Sequence, residues 1–109
     1  MRLKTLFLGL ALGAVAGVGT AQADDEAGDP VRGERLADTC MGCHAVEGAR
    51  NAYPSYRVPK LGGQFEEYLV IALEAYRDGE RDHPTMNAQA HGLSDQEMRD
   101  IAAFFAQER

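Results

Sequence analysis

Both cysteines of the chain, and one of its three histidines, fall in one five-residue stretch, CMGCH, at positions 40–44. Two thiols and an imidazole within a turn of backbone are there to hold something. Four chemistries compete: a disulfide, a metal site, a thiol redox pair, or a covalently attached cofactor. Compartment, chain size and the rest of the pattern decide among them.

The chain opens MRLKTLFLGLALGAVAGVGTAQADD. A basic start (Arg2, Lys4) precedes an apolar run of 13 residues from Leu6 to Val18, then Ala21-Gln22-Ala23 and acidic residues. This is the form of a secretory signal peptide over residues 1–23, cut after Ala23. A spanning helix needs about 20 apolar residues, so no stable membrane insertion is expected. The exported chain is then Asp24 to Arg109, 86 residues in one domain. A chain of that size buries only about 60–65% of its unfolded surface, and such domains often need a staple. Loss of Arg2 and Lys4 takes the net charge from −6 to −8. That balance argues against nucleic acid and anionic membranes, and for protein partners with basic docking surfaces.

Residues 24–29 read as a flexible acidic lead-in, and 30–109 as the folded domain. Asp29 caps a first helix with Pro30 behind it. Val31, Leu36, Ala37 and Cys40 mark its inward face, running into CMGCH. Residues 45–63, rich in Gly and Pro, read as a long loop. In FEEYLVIALEAYRDG, the apolar positions Phe65, Tyr68, Leu69, Ala72, Leu73 and Tyr76 follow a helical period, and Gly79 ends the run. Residues 80–92 read as a second loop. Ser94-x-x-Glu97 is a capping box, with Leu93 stapling to Met98. Met98, Ile101, Ala102 and Phe105 then line one face of a closing helix. The expected class is all-α: three main helices and two long loops, with a modest apolar inventory. Loops this long in so small a domain are usually functional.

On a helical turn Cys40, Cys43 and His44 share one face. A flat macrocycle laid along it could bond to both sulfurs and seat an iron over the imidazole, and C-x-x-C-H is the attachment pattern of c-type haem. A thioredoxin-like pair would need a βαβ pattern, which is missing. Zinc would need two more ligands, and the spacing of His83 and His91 does not suit it. A plain disulfide would leave His44 and the loops without a purpose. One covalent haem c is the reading that uses all three residues, with His44 as proximal iron ligand.

The sixth iron ligand must come from far along the chain. Met41 is inside the attachment turn, and Met98 belongs to the closing helix. Met86 sits in a polar loop after Pro84, and its soft thioether suits iron and raises the potential. His83 and His91 are competitors, and either would give a bis-His haem.

With these motifs in place, the chain resembles the class I cytochromes c, especially the small soluble monohaem proteins of bacteria (cytochrome c-553 type). The stretches that carry the resemblance are a Gly-containing helix before CMGCH, PKLGGQFEEYLVIALEAYRDGER, HPTM and LSDQEMRDIAAFFA. Together they span about Gly33 to Ala106. The resemblance implies the cytochrome c fold, with His44 and Met86 as the axial pair. It implies that the Pro59 carbonyl accepts the Nδ1 proton of His44, with Pro54 as the rival proline. It also implies that Gly33 and Leu36 cross the last helix near Phe104 or Phe105. Tyr53, Tyr56, Arg57, Arg77 and Arg81 are candidates for the haem propionates. The function implied is a periplasmic one-electron carrier, not an enzyme, and a monomer that meets redox partner proteins briefly. The alternatives are a cytochrome subunit of a periplasmic dehydrogenase or oxidase and, behind it, a ligand-binding or sensing haem protein.

Overall fold

A computed structural model describes residues 27–52 and 55–107. The expected signal peptide, residues 24–26 of the acidic lead-in, Tyr53 and Pro54 lie outside the described residues. Five helical segments follow in order: α1 (Pro30–Leu36), α2 (Asp38–His44), α3 (Glu66–Arg77), α4 (Pro84–Ala90) and α5 (Asp95–Gln107). Among the described residues the only strand-like pairing is one isolated antiparallel bridge, Arg50 to Arg57. The class is all-α, and the stretch between α2 and α3 is irregular, as the Gly and Pro content predicts.

The helix ends follow from their sequences. The Asp29 carboxylate accepts from the N–H groups of Val31 (2.9 Å) and Arg32 (3.3 Å), two donors with no partner inside the helix. Ser94 N–H donates to the Glu97 carboxylate (2.8 Å), and Glu97 N–H donates back to the Ser94 hydroxyl (3.3 Å). That is the reciprocal capping box. Gly79 stops α3 with φ +79°, a conformation that costs glycine nothing.

The first predicted helix is two segments. Ala37, with ψ near 0°, bends it, but Ala37 N–H reaches Gly33 O and Met41 N–H reaches Ala37 O. The pair therefore packs as one bent rod. Its buried face is centred on Gly33 and Ala37, not on Val31, which is 62% exposed. At about 100° per residue Val31 lies opposite Gly33. Gly33 is where α1 crosses α5. A Cβ there would fall inside the Asp100 carbonyl and against Phe104 Cβ. Only a residue with no side chain allows that approach.

The second predicted loop also contains a helix, α4. Pro84 stands at its first position and His83 caps it. Proline at the first helical position sacrifices no hydrogen bond.

Packing is concentrated where α5 meets α1 and α3. The buried apolar residues are Ala37, Leu69, Ala90, Met98, Ile101, Ala102, Ala103 and Phe105. Half of these eight are alanines, so the protein alone forms a thin core. Asp100 is buried beside them. Its carboxylate accepts from Asp29 N–H (2.8 Å), Gln96 Nε2 (3.0 Å) and Arg32 Nε, which ties the chain entry to α5.

Candidate functional site

The thin core has a counterpart. A cavity of about 480 Å³ lies between the CMGCH helix, α3, α4 and the long loop, a size within the usual range for small-molecule sites. The apolar stripe read from α3 faces it: Tyr68, Leu69, Ala72, Leu73 and Tyr76 line the wall, with Ile101 and Phe105 from α5 behind. Phe65 does not belong to that wall. It caps α3 from outside and is 81% exposed. The backbones of α2 and α4 are not neighbours; the cavity separates them.

Cys40, Cys43 and His44 all line this cavity from α2. The two thiols are free rather than joined. Burial is the main reason the Cys40 thiol is pushed above its ordinary value, with the Cys43 thiol adding to it and hydrogen bonds opposing. A redox-active or nucleophilic cysteine needs the opposite shift. The His44 Nδ1 lies 2.7 Å from the Pro59 carbonyl oxygen. A carbonyl can only accept, so Nδ1 carries a proton there, and Nε2 is the ring nitrogen left to face the cavity. A ring held this way is oriented and tautomerically set for a metal.

On the other side of the cavity stand Met86, His83, Thr85 and Gln89. Met86 is the one methionine among the described residues that reaches the cavity wall. Met98 is fully buried in the core. Both ring nitrogens of His83 are occupied. Nδ1 accepts from Met86 N–H (3.4 Å), and Nε2 lies 3.0 Å from the Asn51 side-chain amide. Tyr56 and Tyr76 flank the His83 ring, with centroids at 6.1 and 6.4 Å. His91 is exposed and does not line the cavity.

The cationic residues divide in the same way. Arg57, Lys60 and Arg81 line the cavity, and Arg81 also stacks on Tyr76, 4.5 Å from its centroid. Arg77 does not: it pairs with Asp95 and with Asp78 (3.1 Å). Asn51 and Lys60 also line the cavity, and Asn87 stands behind it in α4; sequence alone singled out none of the three, because the fold is what brings them to this region.

A flat apolar macrocycle with a central iron fits these surroundings. The wall is largely apolar, and two thiols and an oriented imidazole from α2 share it with a thioether from α4. Among the described residues no three-residue His, Cys, Asp or Glu cluster could hold a bare metal ion.

Comparison with known proteins bears on the chain as a whole. The family described as Cytochrome c matches residues 30–107. Cytochrome c-554(548) of Halomonas halodenitrificans is 42% identical over 83 residues, covering 73% of this chain and 96% of that protein. Cytochrome c4 of Pseudomonas aeruginosa is 39% identical over 83 residues, covering 76% of this chain and 40% of the relative. The chain thus spans about two fifths of that longer relative. Among solved structures, a thiosulfate dehydrogenase from Marichromatium purpuratum superposes with a TM-score of 0.63 at 31% identity, covering 88% of this chain and 22% of that one.

Proposed function

The chain belongs to the cytochrome c family, and from that premise we propose that it is a periplasmic one-electron carrier with a single haem c. Cys40 and Cys43 would hold the haem through thioethers, and His44 and Met86 would be its axial ligands. The haem supplies one-electron exchange between ferric and ferrous iron. The observation that carries the reading is the cavity itself, lined both by His44, which Pro59 holds, and by Met86 from a separate helix. The cysteine count supports one haem in this chain, since CMGCH uses both cysteines. With two protein ligands the iron has no open position for a substrate, so the chain is read as a carrier and not an enzyme. His83 is a poorer ligand than Met86 because both of its nitrogens already have partners. No helix among the described residues is long and apolar enough to cross a membrane. The expected partner has a basic docking surface, and transfer to it should slow as salt rises.

Met86→Ala tests the ligand set. Carbon monoxide should bind the reduced variant rapidly, and its reduction potential should fall below that of the parent. An unchanged binding rate and potential would remove Met86 from the role.

A second reading has its own support. The thiosulfate dehydrogenase above contains a stretch resembling this whole domain, and another relative, 33% identical over 74 residues, is named as the cytochrome subunit of a sulfide dehydrogenase. The haem chemistry would be the same with a permanent partner. Size-exclusion chromatography of a native extract separates the two: the carrier elutes alone, the subunit with a large complex.

A further inference from the structure

We infer that Asn87 is the positioning residue that holds the Met86 segment against the cavity, and that its two amide donors control how firmly the sixth iron ligand stays in place. The inference rests on the His44/Met86 reading above. Asn87 follows Met86 directly and sits in the first turn of α4. Its side chain makes three hydrogen bonds. Nδ2 donates to the carbonyls of Tyr76 (2.6 Å) and Arg81 (2.8 Å), and Oδ1 accepts from His83 N–H (2.8 Å).

The orientation of the amide has no alternative. A flipped amide would set its oxygen against two carbonyls and its NH₂ against an N–H. One side chain therefore joins the end of α3, the connecting turn and the cap of α4. α4 is seven residues long, too short to be stable by its own propensity. Its cap is weak as well, since Met86 N–H reaches His83 Nδ1 at 3.4 Å. Tyr76 lines the cavity and Arg81 stacks on it. The groups Asn87 grips are thus themselves part of the site wall.

A net hydrogen bond is worth about 1 kcal/mol, and 1.4 kcal/mol is a factor of ten. Removing the side chain should therefore raise local opening of the Met86 segment by on the order of tenfold or more. The test compares four variants of the haem-loaded protein: Asn87→Ala, Asn87→Asp, Met86→Ala and Asp100→Asn. Asp100→Asn weakens the fold away from the cavity and serves as a stability control. The readouts are the carbon monoxide binding rate of the reduced form, the Met–iron charge-transfer band of the oxidised form, and the thermal midpoint.

Asn87→Ala should speed carbon monoxide binding about tenfold or more and weaken the band, while Asp100→Asn lowers the midpoint without either change. Asn87→Asp keeps the acceptor and loses both donors, so it should behave as Asn87→Ala does. The inference is overturned if Asn87→Ala changes only the midpoint, as the control does. It is also overturned if Asn87→Asp keeps the parent rate, since the acceptor alone would then suffice. If Met86→Ala itself leaves rate and band unchanged, the ligand reading fails, and the role of Asn87 toward it fails for that separate reason.

Discussion

Asp100 is the one fully buried charged residue among those described. Burial alone would raise its pKa. The Asp29 N–H, the Gln96 amide and the Arg32 guanidinium outweigh that and hold it below the ordinary 3.8. A depressed folded pKa stabilises the native state fully above the unfolded value. That contribution is lost as pH falls from about 4 through the folded value. Asp100→Asn replaces an acceptor with a donor facing Arg32, and should cost about 1–3 kcal/mol near neutral pH. Denaturant unfolding at a series of pH values checks both statements, since the gap between parent and variant should close as pH falls below about 4. A gap that stays constant down to the acid limit would mean the carboxylate charge contributes nothing. The caps at Asp29 and Ser94 and the stop at Gly79 were readable from sequence, because each depends on a few neighbouring residues. Asn87 was not. Its three partners lie up to 11 residues away, and only the fold brings them to it.

Among the elements, the bent α1–α2 rod and α5 form the frame. Their crossing is set by Gly33, whose missing Cβ lets the Asp100 carbonyl approach. Alanine is the better helix former by about 1 kcal/mol, so Gly33→Ala would stabilise an isolated helix. Here the obstacle is backbone, which cannot rotate away, so the two helices must part. A net loss of about 1–3 kcal/mol is expected, measured as a lower denaturant midpoint. A gain in stability would mean that the close crossing is not needed. The helical periods of α3 and α5 were legible because long amphipathic patterns repeat. Helix α4 was read as loop. Seven residues give too little period, and histidine is not one of the preferred caps; Pro84 at the first position was the available signal. Val31 was assigned to the inward face because apolar residues draw the eye. The true centre of that face is a glycine, which carries no hydrophobicity.

For the whole molecule, the central fact is a protein core half made of alanines around a cavity of about 480 Å³. The long loop, the apolar wall of α3 and the CMGCH helix all face that space. A small domain that lacks core of its own needs another component to complete it. The site was legible in the sequence to the extent that its chemistry is local: Cys40, Cys43 and His44 lie in one turn, and Met86 stands out as a methionine without a helical period. The partners that hold those side chains, Pro59 apart, come from separate helices and loops, and no local pattern announces them. The central claim is a haem c held by CMGCH and ligated by His44 and Met86. Absorption spectra of the purified exported protein, oxidised and then reduced, test it most directly. The reduced form should show the bands of a low-spin c-type haem, and the oxidised form a Met–iron charge-transfer band. Absence of haem absorption, or an oxidised spectrum of an open high-spin iron without that band, would contradict it.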